Sequence, residues 1–227
     1  MPNTVPLSLR QVTWAALALL ASLALGACKP EVTAAPVKPS QQAAPAGLAE
    51  DEQGVAVFAG GCFWCTESDF DKLPGVIATT SGYTGGHVAN PSYEQVSSGT
   101  TGHIEAVRVN YDPRVTSYAA LLEAFWPTID PVTPNAQFCD HGEQYRSAIF
   151  YGTAQEKAQA EASIAALEAS GRFKQPIVTE IIQGSTFYPA EEYHQDYYLK
   201  NPVRYAYYRG GCGRDDRLEQ LWGKQTE

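Results

Sequence analysis

Gly60-Gly61-Cys62-Phe63-Trp64-Cys65-Thr66-Glu67 sets two cysteines three residues apart, directly after the short apolar run Gly54 to Ala59. The run reads as a strand, the glycine pair as a tight turn, and Cys62 to Leu73 as a helix stopped by Pro74-Gly75. Cys62 then lies beside unpaired backbone N–H groups at the positive end of a helix dipole, which predicts a lowered thiol pKa and a nucleophilic thiolate. Cys65 lies about one helical turn away on the same face, so attack by one sulfur and resolution by the other are geometrically possible. A structural disulfide and half of a zinc site are the alternatives; zinc needs two more ligands, and Cys139 with His141 fits common zinc spacings poorly.

A second group has an unusual setting. Ile104 to Tyr111 alternates, which puts Glu105 on the same strand face as Val107, Val109 and Tyr111. A carboxyl on an apolar face is costly to ionise, so Glu105 is expected to keep its proton near neutral pH and to act as a donor.

The elements that must position these groups are readable along the chain. Val76 to Tyr83 is a β-branched strand, Ser92 to Ser98 a short helix, and Ser117 to Trp126 a helix that stops at Pro127. A long loop reaches Gln144, Ser147 to Tyr151 is a strand, and Thr153 with Glu156 forms a capping box for an alanine-rich helix ending at Gly171. Pro176 to Ile182 reads as a strand and Ala190 to Leu199 as an aromatic-rich helix. The alternation predicts one domain over residues 50–227, a two-layer α+β (α/β) sandwich with a mixed sheet, flanking helices and a ferredoxin-like core.

The chain has 227 residues, 44% hydrophobic and 18% charged, which fits a globular domain with an ample core and excludes wholesale disorder or a polytopic membrane protein. Its net charge of -9 repels polyanions and argues against nucleic acid as a partner. Five cysteines, unevenly spread, do not form the framework of a small disulfide-rich fold.

Residues 1–27 have the layout of a signal peptide: one positive charge before an Ala/Leu-rich run, Val12 to Leu25, too short for a comfortable bilayer span. The run ends in Leu25-Gly26-Ala27-Cys28, which resembles a bacterial lipobox, so Cys28 is the expected lipid attachment and Lys29 an outer-membrane sorting position. An ordinary secretory peptide cleaved next to Ala27 is the alternative. Residues 28–49, rich in Pro and Ala, read as a tether. The expected location is therefore the periplasm, with the membrane contacted only through the anchor.

Six motifs follow in order: Gly60-Gly-Cys-Phe-Trp64, Gly82-Tyr-Thr-Gly-Gly86, Asn90-Pro-Ser-Tyr93, Ser98-Gly-Thr-Thr-Gly-His-Ile-Glu-Ala-Val107, Asp140-His-Gly-Glu-Gln-Tyr-Arg-Ser147 and Ala190-Glu-Glu-Tyr-His-Gln195. Together they resemble the A-type peptide methionine sulfoxide reductases over almost the whole domain. The resemblance implies that Cys62 attacks the sulfoxide sulfur, that Glu105 protonates its oxygen, and that Phe63 and Trp64 form the slot for the methyl group. It also implies that Tyr93, Asp140 and Tyr145 complete the hydrogen-bonding site. The product is methionine, with a sulfenic acid on Cys62 that a second thiol condenses to a disulfide. The implied partners are free methionine S-sulfoxide, oxidised peptides and proteins, and a thioredoxin-like dithiol reductant. No metal or organic cofactor is implied, and a monomer is expected.

The sequence departs from the commonest family pattern at the recycling thiol. Cys65 replaces the usual glycine after Phe-Trp, and the tail carries Cys212 alone. Cys65 is favoured because it needs no long chain movement; Cys212 stays a candidate because its flanking glycines would let the tail swing in. Cys139 reads as a buried small residue, Glu67 as a solvated or helix-supporting acid, and His103, His141 and His194 as partly buried hydrogen-bonding groups. The rival enzyme reading is a thioredoxin-like disulfide oxidoreductase using Cys62 and Cys65, which has no use for a buried proton donor. A peptide-binding lipoprotein is the non-enzyme rival. The only methionine is Met1, so a chain beginning at Cys28 contains none of the substrate residue; chance rarity explains that absence equally well.

Overall fold

The structure, a computed structural model, describes residues 48–224. The expected signal peptide, the lipid-bearing Cys28 and the tether up to residue 47 lie outside the described residues.

Strand β1 (Gly54–Ala59) leads through Gly60-Gly61 into helix α1 (Phe63–Phe70) and then to β2 (Val76–Thr84). Helix α2 (Tyr93–Ser97) is followed by β3 (Ile104–Tyr111), α3 (Tyr118–Phe125), a small hairpin of β4 (Ala136–Gln137) and β5 (Asp140–His141), and β6 (Ala148–Tyr151). Helix α4 (Ala154–Ala169), β7 (Glu180–Gln183) and β8 (Tyr188–Pro189) precede three helices, α5 (Tyr197–Lys200), α6 (Pro202–Gly211) and α7 (Arg214–Trp222). The starts are chemically marked. Ser117 accepts from the Ala120 N–H, and Thr153 with Glu156 closes the expected capping box.

The main sheet has the order β7-β6-β1-β3-β2-β8. Strand β3 runs antiparallel between β1 and β2, which makes β1-α1-β2 a split βαβ unit, and β6 pairs antiparallel with the other side of β1. These four strands are the expected ferredoxin-like core, and the parallel β7 makes the sheet mixed. One sheet face buries Phe58, Val107, Val109 and Ile149 against Phe70, Leu121, Leu122 and Phe125 of the helices. Phe58 is fully buried, stacked 4.9 Å from Phe70 and 5.0 Å from Phe125. The smaller opposite cluster holds Ala59, Ile104, Ala106 and Phe150.

Four elements differ from expectation. The strand expected at Pro176 begins only at Glu180, because the Val178 N–H goes to the Pro131 carbonyl rather than to a sheet neighbour. The helix expected from Ala190 forms only over α5. Before it, the Gln195 side chain takes the Ser81 N–H and the Ser81 and Ala190 carbonyls, and Asp196 adopts a left-handed φ of +52°. Helices α6 and α7 were not anticipated. They bring the tail back over α1.

Candidate active site

Cys62 is the N-cap of α1, its carbonyl accepting from the N–H groups of Cys65 and Thr66. Gly61 has φ +82°, and a side chain there would run into Gln137. Gln137 is fixed by hydrogen bonds to the Asp130 N–H and carbonyl, so the 127–144 loop closes directly onto the turn before Cys62.

Strand β3 presents Glu105 on the helix side, 3% exposed. Its Oε2 accepts from the Phe63 N–H at 3.1 Å, which ties the carboxyl to the residue after Cys62. Burial outweighs that hydrogen bond and, with the nearby Asp140 charge, pushes Glu105 up to about 8. The carboxyl is therefore mostly neutral at pH 7, as its strand face implies.

Cys62 behaves differently from expectation. Burial pushes its thiol well above the ordinary range, and the adjacent Cys65 and Glu105 act in the same direction. These effects overcome the pull of a two-turn helix dipole. The hydrogen bond with Cys62 pushes Cys65 down to about 7 against the effect of burial, helped by the charges of Arg214 and Arg209. The pair thus rests with its shared proton on Cys62.

Phe63 and Trp64 stand in an aromatic wall. Phe63 is buried, 4.9 Å from the ring of His194. Trp64 stacks on Tyr197 at 3.6 Å and donates its indole N–H to His194 Nδ1 at 2.9 Å. An indole is only a donor, so His194 Nδ1 accepts; burial holds that imidazole below its ordinary pKa and keeps it neutral. Tyr93 lies 4.6 Å from the same ring. Glu191 anchors it, taking the Tyr93 N–H and the Tyr83 hydroxyl at 2.8 Å each.

Asp140 and Tyr145 come from the β5 hairpin and the 3₁₀ turn after it. Burial raises both, nearby Glu105, Tyr93 and Asp140 push the Tyr145 hydroxyl the same way, and the 3₁₀ turn packs against β3, the strand that carries Glu105. Five expected residues, Cys62, Glu105, Tyr93, Tyr145 and Asp140, are therefore gathered, with Cys65 beneath them. Tyr208 of α6, which sequence reasoning missed, joins them by donating its hydroxyl to Asp140.

Several expectations need correction. Cys139 is exposed rather than buried and forms a disulfide with Cys212, while Cys62 and Cys65 are free and buried. Cys212 is therefore not poised against Cys62 in this state. Glu67 is 1% exposed rather than solvated; its Oε2 accepts from the Asp196 N–H, and burial raises its carboxyl to about 8. His141 is exposed.

Arg209 and Arg214 also escaped the sequence reading. Arg209 pairs with Asp69 at 2.8 Å, and the buried Arg214 binds the Gly60 and Thr128 carbonyls, so the tail supplies positive charge to the underside of the cysteine turn. With no apolar stripe on α6, only the Tyr207-Tyr-Arg-Gly-Gly-Cys212 cluster hinted at its importance.

Comparison with known proteins agrees with this geometry. The sequence profile of the peptide methionine sulfoxide reductase family matches residues 54–226. Peptide methionine sulfoxide reductase MsrA of Bacillus licheniformis is 52% identical over 177 residues, covering 78% of this chain and 98% of the relative. That of Halalkalibacterium halodurans is 54% identical over 169 residues, covering 74% and 96%. Among solved structures, methionine sulfoxide reductase A of Corynebacterium diphtheriae superimposes with a TM-score of 0.61 at 33% identity, covering 67% of this chain and 76% of the other. Reduced Mxr1 of Saccharomyces cerevisiae gives 0.62 at 32% identity, covering 69% and 90%. Identity above one half over nearly the whole length of these relatives, on the same mixed-sheet fold and with Cys62 and Glu105 joined through α1, shows that the chain belongs to the peptide methionine sulfoxide reductase family, oxidoreductases that reduce methionine sulfoxide.

Proposed function

We propose that Cys62 and Glu105 reduce the S epimer of methionine sulfoxide, free or within proteins, and that Cys65 resolves the intermediate. The observation that carries this reading is the neutral, buried Glu105 carboxyl hydrogen-bonded to the backbone beside Cys62. A sulfoxide sulfur becomes electrophilic only when its oxygen is protonated or strongly hydrogen-bonded, so nucleophile and acid must converge. Cys65 takes the Cys62 proton along their shared hydrogen bond. The Cys62 thiolate attacks the substrate sulfur as Glu105 delivers a proton to its oxygen, forming a sulfur–sulfur bond; the hydroxyl then passes from the substrate sulfur to Cys62 as that bond breaks, so methionine leaves and a sulfenic acid stays on Cys62. The Cys65 sulfur then displaces hydroxide, which departs as water with the Cys65 proton, and a disulfide forms. A thioredoxin-like dithiol reduces that disulfide, and Glu105 recovers its proton from solvent. Phe63 and Trp64 hold the methyl group, with Tyr93, Tyr145 and Asp140 around the oxygen.

The N-terminal pattern supports export, lipid attachment at Cys28 and a periplasmic site of action. The test compares reduction of a methionine sulfoxide peptide by wild type, Cys62→Ser and Cys65→Ser, first with dithiothreitol and then with a thioredoxin system. Cys62→Ser should be inactive with both. Cys65→Ser should keep dithiothreitol-driven turnover and lose the thioredoxin-driven reaction; full thioredoxin-driven turnover would remove Cys65 from the resolving role.

A further inference from the structure

Tyr208 occupies a position that the reaction described above leaves unused. Its hydroxyl donates to Asp140, its ring meets Trp64, two residues from Cys62, edge-on at 5.6 Å, and the Cys62 and Tyr208 side chains shift one another's protonation as close neighbours. Two features hold it there. The Cys212 N–H bonds to the Tyr208 carbonyl one turn on, and Cys212 is joined to Cys139, the neighbour of Asp140. The disulfide therefore ties the end of α6 to the loop that presents Asp140. It closes a small ring of contacts: Cys139, Asp140, the Tyr208 hydroxyl, the turn of α6 and Cys212.

We infer that Tyr208 is a further catalytic residue, a hydroxyl that turns from Asp140 to the Cys62 sulfur when the thiolate forms, and that the Cys139–Cys212 disulfide is the staple that keeps it in place. The inference rests on Cys62 being the nucleophile. A thiolate in a buried pocket is destabilised unless donors face it. Cys65, once it has accepted the proton, supplies one donor. The Tyr208 hydroxyl supplies the second by turning from Asp140 to the sulfur. Asp140 receives the hydroxyl while Cys62 is a thiol, so the donor is never left unpaired. The staple is covalent and its Cys139 end is exposed, whereas the reacting pair is buried and reduced. The two pairs thus have separate tasks.

The experiment uses Tyr208→Phe, which removes one oxygen, and the double variant Cys139→Ser/Cys212→Ser, alone and combined. Melting temperature is recorded for each. Two rates are measured at pH 7: methionine formed in a single turnover from a sulfoxide peptide, and alkylation of Cys62 by iodoacetamide, followed by peptide mass. Loss of a hydrogen bond to a charged sulfur should slow both rates in Tyr208→Phe by about ten- to a hundredfold. The serine pair should slow both in the same sense, and Tyr208→Phe should cost less in that background than in wild type, because the two changes disable one device. Tyr208→Phe rates within twofold of wild type would overturn the inference. So would a serine pair with normal single turnover and normal alkylation, since the disulfide would then hold nothing that the reaction uses. Alkylation needs no sulfoxide, so it reads the Tyr208 contact even if the proposed reaction fails.

Discussion

Replacing Glu105 by Gln separates the proton-donor role from the structural one. The amide keeps the size of the carboxyl and an oxygen for the Phe63 N–H, but it has no acidic proton to deliver. Loss of a positioned general acid slows the chemical step by about 10²- to 10⁴-fold. Stability should move the opposite way. Folding raises this carboxyl from 4.5 to about 8, so the folded state binds its proton more tightly than the unfolded chain. The associated stabilisation is complete below pH 4.5 and is lost as pH rises through about 8. Above that pH the buried charge costs on the order of 5 kcal/mol, a cost that Gln does not carry.

Two measurements check this. Single-turnover reduction by wild type should fall about tenfold between pH 7 and pH 9, as a group titrating near 8 goes from about 90% to about 10% protonated. Urea unfolding at pH 9 should show Glu105→Gln more stable than wild type, with the difference shrinking towards pH 5. A variant retaining more than about a tenth of wild-type turnover, or a rate flat across that pH range, would refute the proton-donor reasoning. A Glu105→Gln protein no more stable than wild type at pH 9 would refute the burial argument on its own.

Other consequences follow from the packing. Glu67→Gln should likewise stabilise the protein above pH 8, because its carboxyl is also raised by burial, while leaving Cys62 alkylation unchanged; unfolding midpoints that do not diverge with pH would contradict this. Phe58→Ala should cost about 3–5 kcal/mol in chemical denaturation, since it empties a fully buried position between two stacked rings. Leu121→Met and Leu218→Met should be nearly neutral without oxidant and should shorten active lifetime under peroxide. Unchanged lifetimes would make the lack of methionine after Met1 a matter of chance.

What was legible in the sequence was what is local. The apolar run, two glycines and CxxC of residues 54–65 specify strand, turn and helix within a dozen residues, and the period-two pattern of 104–111 alone puts Glu105 in the core. The tail gave no comparable signal. Helix α6 buries no residue completely, so no apolar stripe marks it, and α7 opens with Arg-Asp-Asp-Arg. Distant groups place both helices: Asp69 for Arg209, the Gly60 and Thr128 carbonyls for Arg214, Asp140 for Tyr208 and Cys139 for Cys212. Such pairings exist only after the sheet has formed. For the same reason the Ala190 helix was misread, because the Gln195 side chain replaces helical hydrogen bonds with contacts to Ser81.

The protonation states also fit the substrate better than a thiolate ready at rest would. A sulfoxide is polar but uncharged, and its conversion with a thiol to a sulfide and a sulfenic acid needs no net proton. A site holding Glu105 neutral and Cys62 as a thiol offers hydrogen bonds from groups that carry no charge at rest, with the Asp140 carboxyl engaged by the Tyr208 hydroxyl. Thiolate character lies instead with Cys65, pushed down to about 7 on the side of Arg209 and Arg214, until the proton shifts between the two sulfurs. Burial, which works against Cys62 as an isolated nucleophile, thus keeps Glu105 protonated for the same step. It also confines thiolate formation at Cys62 to the moment when Cys65 can take the proton and then serve as the resolving thiol.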